Sequence, residues 1–294
     1  DKKEDLEFLL ETIPRNAEEY NQEQYQRYLF DDSNIKLLID DKDKLIDKIK
    51  KLSKELVKHK MLRALPNLDN LDIEKLKDLL EDLEIVKTQF IITVQTSELQ
   101  TYEQYNDIFE TYENILSGEV ADPSLVFEWN TWRAMTMLND GEIKGNFKID
   151  TDGSPLFTAP SKVPDIYCNY NNFRLTVEVT LSTGQKQYDM EGEPVARHLG
   201  DFKKQNKGET YCLFIAKNIS DGTLAHFYAL HRIEMAYYGG KAQIIPMNLA
   251  DFGRLLEHAK YKGGIKSKDL HNYIKFLSDF ALKSKNEKEW MDKI

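Results

Sequence analysis

The sequence FRLTVEVTLSTGQKQYDMEGEPVARHLGDFKK occupies residues 173–204 and begins with the pattern of a β-strand. Successive side chains of a strand point to opposite faces. One face therefore carries the apolar side chains of Leu175, Val177, Val179 and Leu181. The other face carries Thr176, Glu178 and Thr180. If helices cover both faces of the sheet, an ionised Glu178 is costly to bury unless a metal ion or a cationic group compensates its charge.

A second acid, Asp165, lies a short loop upstream in the sequence VPDIY, residues 163–167. Pairing of its strand with the Glu178 strand would bring the two carboxylates together. Mg²⁺ prefers oxygen ligands, uses one or two carboxylates and keeps water for chemistry at phosphorus. In the alternative interpretation, Asp165 caps a turn after Pro164 and Glu178 pairs with a surface lysine. Residue types alone favour this alternative, because PD followed at a distance by ExT is a weak pattern.

The segment EPVARHLGDFKK, residues 193–204, predicts a helix with Pro194 in its first turn. His198 flanks the apolar stripe of this helix, and Glu191, seven residues earlier, approaches the same side. A histidine beside a metal-bound water and a phosphate can shuttle protons near neutral pH. The alternative is a satisfied, partly buried histidine, which is the commoner situation of an isolated one. The apolar stripe itself consists of Val195, Leu199 and Phe202.

Asp122 and Pro123 form a typical helix start, an N-cap residue followed by proline at the first helical position. The helix that they open, PSLVFEWNTWRAMTML, places Glu128 at the border of its apolar stripe. Glu128 is therefore a third acid that could reach the site. The alternative is a carboxylate on the helix surface.

The first 120 residues read as helices. Apolar positions at helical spacing, which include Leu37 and Ile39, predict a helix over residues 34–60. Residues 72–118 predict one long helix or two, ending at Gly118. The proline and the Asn and Asp residues between them mark a break.

After residue 122 the pattern becomes a helix, three strand-like runs, a helix and a strand, followed by further helices around one more strand. Such an alternation is typical of an α/β arrangement. We therefore predict two parts, a helical subdomain at residues 1–118 and an α/β domain at residues 119–294.

The acidity of the chain is uneven. The formal net charge is −10, and residues 61–120, with 13 acidic and 4 basic residues, contribute −9. Phosphate contacts need Lys and Arg, so such a chain is a poor autonomous binder of nucleic acid. If it acts on nucleic acid, another element is expected to bring the substrate to it.

Targeting and redox signals are sparse. The N-terminus is charged, and no apolar run reaches the length of about 20 residues that spans a bilayer. The missing initial Met leads us to expect part of a longer chain. Cys168 and Cys212 are too few for a disulfide framework and lack zinc-site spacing, so we expect two buried thiols in a reducing compartment.

The run from VPDIY through VEVTLSTGQKQYDMEGEPVARHLGDFKK resembles the cleavage domain of type IIS restriction endonucleases of the AlwI, PleI and MlyI group, most of all its site-specific nicking enzymes. The resemblance covers roughly residues 120–220. It implies a PD-(D/E)XK nuclease core, with a mixed central sheet flanked by helices, after a helical subdomain. It also implies Mg²⁺-dependent hydrolysis of a DNA phosphodiester to a 5′-phosphate and a 3′-hydroxyl, with Mn²⁺ able to substitute.

The resemblance carries roles onto individual residues. Asp165 and Glu178 match the metal-binding acids, and the Val179 carbonyl matches a third ligand. Further matches to active-site residues of the group are Glu128, Glu191 and His198. Thr180 stands where the superfamily has lysine and cannot supply a cation. The candidates to replace that lysine are His198 and Lys186, the latter a substrate-binding cation from the intervening loop, and the identity of the general base stays open.

The resemblance also predicts partners. They are double-stranded DNA, an N-terminal recognition domain of the same polypeptide, and a second catalytic subunit wherever both strands are cut. A nicking enzyme in the bacterial cytoplasm, with no membrane association, is the leading hypothesis. Two alternatives remain, a non-catalytic helical interaction module on a nuclease-like scaffold and a nuclease of the same fold for damaged or branched DNA.

Overall fold

The structure, a computed structural model, describes residues 42–62, 64–138, 140–150 and 152–294. The chain divides into two compact units between Phe90 and Ile91. The predicted domain boundary at 118/119 stays a prediction, and the part of it that concerns residues 1–41 lies outside the described residues. None of the helices among the described residues combines the length and the hydropathy that a bilayer span requires.

Helices form the first unit, as the sequence predicts. Helix α1 spans Lys42–Lys58, and Leu37 and Ile39 of the predicted helix lie outside the described residues. A short 3₁₀ turn at Leu68–Asn70 and helix α2, Ile73–Leu99, follow. Helix α1, the 3₁₀ turn and the first turns of α2 share an apolar core. Its buried residues are Leu45, Ile46, Ile49, Leu56, Leu68, Leu76, Leu80 and Leu83.

The second unit begins with the last turns of α2, from Ile91, and continues with two further helices. Helix α3 spans Tyr105–Ser117, and Gly118 ends it in the left-handed conformation with φ 80°, as the predicted helix end requires. Helix α4 spans Pro123–Leu138. The Leu125 N–H donates to Asp122 Oδ1 over 3.1 Å, which confirms the predicted N-cap.

A mixed sheet forms the centre of this unit. Its strands are β1 Glu142–Gly145, β4 Ile166–Asn169, β5 Arg174–Thr180, β6 Thr210–Ala216 and β7 Ile244–Asn248. Among the described residues they lie in the order β1-β4-β5-β6-β7. Strand β4 pairs antiparallel with both β1 and β5, and strand β6 pairs parallel with both β5 and β7.

A small hairpin lies outside this sheet and was missed by the sequence analysis. It pairs β2, Lys148–Ile149, with β3, Pro155–Phe157. The first of the three strand-like runs after the helix, IKGNFKI at residues 143–149, is thus divided between β1 and β2. Short strands with mixed polarity give little periodicity, so the sequence pattern could not reveal the second pairing partner.

Helices cover both faces of the sheet, as predicted. One face packs against α3, α4, α7 and α8, and the other packs against α5 and α6. Cys168 and Cys212 are buried free thiols, which confirms their predicted state. The remaining helices are α5 Gly184–Gln205, α6 Asp221–Leu230, α7 Leu249–Lys262, α8 Ser267–Lys283 and α9 Glu287–Met291.

Helix α5 corrects the predicted position of Pro194. The helix begins at Gly184, ten residues before the proline, so Pro194 lies inside the helix and not in its first turn. Proline has no N–H, and the carbonyl of Met190 therefore lacks its usual helical donor. Core packing of Val195, Ala196 and Leu199, directly after the proline, helps to maintain the helix.

Gly200 allows α5 to approach the 3₁₀ turn at Ala236–Tyr238 closely. A Cβ at this position would lie 2.7 Å from Tyr238 Cα and 2.9 Å from its carbonyl carbon. We expect Gly200→Ala to lower the free energy of unfolding by about 1–3 kcal/mol, because backbone atoms cannot move aside easily.

Gly192, in the same helix, is the matched control. A Cβ there would meet its nearest neighbour, His226 Cδ2, at 3.5 Å, which is ordinary contact. Gly192→Ala should be neutral or stabilise the protein by up to about 1 kcal/mol through helix propensity. Urea unfolding of both variants measures the difference, and equal stabilities would contradict the close approach at Gly200.

Candidate active site

Antiparallel pairing of β4 and β5 brings Asp165 and Glu178 together. Ile166 lies opposite Val177, so Asp165, which precedes Ile166, reaches the level of Glu178. The Val179 N–H donates to Asp165 Oδ2 over 2.8 Å. The two acids therefore share one end of the sheet, on the face that α5 covers.

Asn146 fixes the main chain around Asp165. Its N–H donates to the Asp165 carbonyl over 2.8 Å, and its side-chain amide donates to the Pro164 carbonyl over 2.6 Å. The end of β1 thus holds the PD dipeptide in place, and Asp165 does not need to cap a turn.

His198 of α5 contacts Glu178 directly. Its Nδ1 lies 2.8 Å from Glu178 Oε1, and the two side chains are only 11% and 7% exposed. Burial lowers the pKa of His198, and the adjacent Arg197 lowers it further. A lowered pKa favours the neutral form of His198, which has a lone pair on one ring nitrogen.

Glu191 lies on the same helix as His198 and is half-buried. Burial raises its pKa, which a hydrogen bond from the Thr180 side chain and the nearby His198 partly counteract. Thr180 thus contacts an acid of the site, although it cannot replace a lysine as a cation.

Glu128 enters from α4, on the opposite side of the sheet. Its Oε2 accepts a hydrogen bond from the Ala159 N–H over 2.8 Å, and the residue is 8% exposed. Burial raises the pKa of Glu128 to about 7, and the Ala159 hydrogen bond opposes this rise. The carboxyl group points inward and is not part of the helix surface.

Burial raises the pKa of all four acids in the site, and repulsion from the neighbouring carboxyl groups raises the pKa of Asp165 and Glu178 further. For Asp165 the main cause is burial, followed by the carboxyl groups of Glu178 and Glu128. For Glu178 it is burial, followed by Glu191 and Glu128. Like-charged groups this close cannot all ionise unless a cation joins them.

One cavity of about 520 Å³ connects these groups. It is lined by every residue that the sequence analysis singled out for the site, namely Glu128, Asp165, Glu178, Val179, Lys186, Glu191 and His198. A cavity of about 690 Å³ between α7 and α8 contains none of them. The structure therefore brings all of the candidates together and leaves none elsewhere.

The side chains of the lining supply only some of the ligands that a hard divalent cation needs. Within the described ranges, no group of three or more His, Cys, Asp and Glu side chains is arranged as a ready-made metal site. Asp165 and Glu178 supply two carboxylates, and a main-chain oxygen such as that of Val179 would complete the set. A site with few protein ligands suits Mg²⁺, which retains several waters.

Sequence reasoning missed Gln187, a fully buried residue of α5. Its amide nitrogen donates to the carbonyls of Ser182 and Asn218 over 2.8 and 2.9 Å. Its amide oxygen accepts from the Ser220 N–H over 2.8 Å. Gln187 thus connects the turn after β5 with the turn after β6. A glutamine between charged and polar neighbours gives no signal of burial in the sequence.

Comparison with known proteins identifies what the chain is similar to. A family model described as "AlwI restriction endonuclease" matches residues 1–255. Among solved structures, the small subunit (R.BspD6I2) of the heterodimeric restriction endonuclease R.BspD6I is similar, with 29% sequence identity and a TM-score of 0.54. That match covers 64% of this chain and 95% of the subunit. No curated protein matches the chain.

We expect Gln187→Met to destabilise the protein by about 2–3 kcal/mol, because it leaves buried main-chain groups without partners. Gln185→Met is the matched control, since Gln185 is exposed and bonds only the side chain of Asp189 among the described residues. The control should change stability by less than about 0.5 kcal/mol. Chemical denaturation of both variants checks the prediction, which equal losses would contradict.

Glu128 should make the metal-free protein less stable as the pH rises. Its pKa is about 7 in the folded state against an ordinary 4.5, so the folded state binds a proton that the unfolded state has lost. Stability then falls between about pH 4.5 and pH 7. We expect Glu128→Gln to remove up to about 3 kcal/mol of this loss.

The measurement is urea unfolding with a chelator at pH 5 and at pH 8. Glu113→Gln, at an exposed position of α3, is the control and should leave the pH dependence unchanged. A Glu128→Gln variant with the same pH dependence as the wild-type protein would refute the assignment of a proton to Glu128.

Proposed function

The chain belongs to the AlwI restriction endonuclease family, and we propose that it is a Mg²⁺-dependent nicking domain that hydrolyses one DNA phosphodiester at a time. Family membership makes it a site-specific DNA endonuclease and bears out the predicted resemblance to the AlwI group. The observation that carries the finer proposal is the single cavity that Asp165, Glu178 and the other candidates line. Endonuclease membership also disfavours the non-catalytic interaction module.

In this proposal Asp165, Glu178 and the Val179 carbonyl hold the metal ion. A bound Mg²⁺ supplies charge neutralisation at the phosphate and a more acidic water at neutral pH. The protein contributes the position of these ligands. The Val179 N–H restrains Asp165, and Asn146 holds its main chain, so the carboxylate is oriented before any ion binds.

His198 is proposed as the proton acceptor. When Glu178 is ionised, the short contact between Glu178 Oε1 and His198 Nδ1 requires the proton on Nδ1. The lone pair of Nε2 is then free to accept a proton from the attacking water. The lowered pKa of His198 supports this role, because it favours the neutral ring, which keeps a lone pair on one nitrogen.

Lys186 is proposed to supply the positive charge that Thr180 cannot. It is exposed in the first turns of α5 and lines the same cavity. A flexible lysine at the rim can contact a phosphate without lying among the carboxylates. The roles that a single lysine combines elsewhere in the superfamily are then divided between Lys186 and His198.

One such centre cuts one strand, so we propose nicking beside an asymmetric site that a separate N-terminal domain of the polypeptide recognises. Cutting both strands would need a second centre. The similar small subunit belongs to a heterodimeric enzyme, which supports a partner of that kind. The alternative of a nuclease for branched or damaged DNA predicts cleavage of branched substrates without a recognition sequence.

We expect Asp165→Asn and Glu178→Gln to reduce the rate of supercoiled plasmid nicking by at least about 100-fold with Mg²⁺. Both substitutions keep the side-chain shape but remove the charge that binds a cation. Calorimetric titration with Mn²⁺ should show binding to the wild-type protein and none to either variant. Gel separation of nicked from linear plasmid tests single-strand cutting.

Glu193→Gln provides the control, since Glu193 is exposed on α5, pairs with Arg197 and does not line the cavity. It should nick at the wild-type rate. Undiminished nicking by Glu178→Gln would overturn the proposed site, and linear plasmid as the first product would overturn the nicking assignment.

A further inference from the structure

Residues 158–163, TAPSKV, form one wall of the cavity. Five of these six residues line it, and Lys162 is the exception. The segment contains no acid, in contrast to the carboxylates on the floor of the cavity. We call it the 158–163 segment. Its hydroxyl groups, its main chain and its lysine are suited to an anion.

The 158–163 segment is held near both ends. Glu128 accepts the Ala159 N–H over 2.8 Å at its beginning. Asn146 donates to the Pro164 carbonyl over 2.6 Å just after its end. The segment therefore connects directly to Asp165, and its position is fixed relative to the carboxylates.

Lys162 has an unusual main-chain conformation, with φ 76°. A non-glycine residue with positive φ is disfavoured, and such strain persists where the surroundings impose it, often at functional sites. Lys162 is exposed, and no carboxylate pairs with it within the described part of the chain. Its two neighbours in the sequence, Ser161 and Val163, line the cavity, whereas Lys162 itself does not. Its long, flexible side chain therefore starts from the main chain directly beside the cavity.

We propose that the 158–163 segment is the wall against which the cut DNA strand lies, and that Lys162 binds a phosphate next to the scissile one. The inference rests on the proposed function and extends it to strand positioning. A strand whose scissile phosphate reaches the carboxylates must leave the cavity across a rim. Lys162 adjoins two lining residues of the 158–163 segment, and Lys186 lines the cavity from α5, so two lysines are available beside the path of the strand.

The acidic lining of the cavity explains why DNA binding would depend on contacts between lysines and the neighbouring phosphates. The floor of the cavity carries four carboxyl groups, from Glu128, Asp165, Glu178 and Glu191, which repel a phosphodiester. Cations on the rim attract the phosphates on either side of the reacting one without entering the floor. Lys162 is therefore a binding residue, and its loss should weaken DNA binding more than the chemical step.

The test measures nicking by the full-length protein at a series of salt concentrations from about 50 to 200 mM. For Lys162→Ala we expect a several-fold rise in KM, a nearly unchanged kcat and a log–log salt slope of kcat/KM that is shallower by about 0.9. Lys162→Arg should retain the wild-type slope, since it keeps the charge. Lys162→Gly should share the shallower slope although it relieves the main-chain strain.

Lys60 offers a matched control, because it is also an exposed lysine with positive φ, 60°, and lines no part of the cavity. Lys60→Ala and Lys60→Gly should leave KM and the salt slope unchanged. A wild-type slope for Lys162→Ala, or a Lys162→Arg variant as weak as Lys162→Ala, would overturn the phosphate contact. Plasmid nicking that is lost in Glu178→Gln while Lys162→Ala behaves as wild type would refute this inference alone and leave the proposed function intact.

Discussion

Repulsion among four carboxyl groups in one cavity is the constraint on which the rest of the site depends. Glu128, Asp165, Glu178 and Glu191 line it together, and burial raises the pKa of each. Without a cation the cavity compensates by retaining protons. A metal cation and protons therefore compete for the same carboxylate oxygens. DNA is an anion, so its binding is favoured when either of them neutralises the carboxylates. On the proposed function, a metal ion that neutralises the carboxylates favours DNA binding. Bound DNA then favours the metal ion by the same factor, because coupling between two ligands is reciprocal.

The central sheet and its flanking helices hold the acids of this cavity in place. Two acids come from neighbouring antiparallel strands, helix α4 adds Glu128, and helix α5 adds an acid and a histidine, Glu191 and His198. Main-chain N–H groups of Val179 and Ala159 each satisfy one carboxylate. The side-chain amide of Gln187 donates to the Ser182 carbonyl and so fixes the turn that follows Thr180. The polar groups are thus held by regular structure, which limits how far they can move apart in response to their repulsion.

Much of the fold could be predicted from the sequence, because strong hydrophobic periodicity and helix-end signals marked its main elements. The alternation in β5, the helix start at Asp122 and the end at Gly118 all follow from local chemistry and were confirmed. The β2–β3 hairpin and the position of Pro194 were missed, because weak local patterns are overridden by tertiary packing. Residue types and spacing suggested the five titratable site residues, and the resemblance assigned their roles and added Val179 and Lys186. Only the coordinates could show that Glu128 reaches the site from α4. The hydrogen bonds of Gln187 and of the Ala159 N–H could not be predicted, because a single sequence gives no signal of a hydrogen bond between residues far apart in the chain.

The two buried thiols have a practical consequence. Cys168 and Cys212 are the only cysteines of the chain, and both lie in strands where burial raises their pKa far above neutral pH. The thiolate is the reactive form, so neither side chain should compete for alkylating reagents in the folded state. The natural sequence can therefore serve as a background for site-directed labelling. A single cysteine introduced on the surface would carry a fluorophore or spin label alone, and domain movements during DNA cleavage could be followed without first replacing native residues.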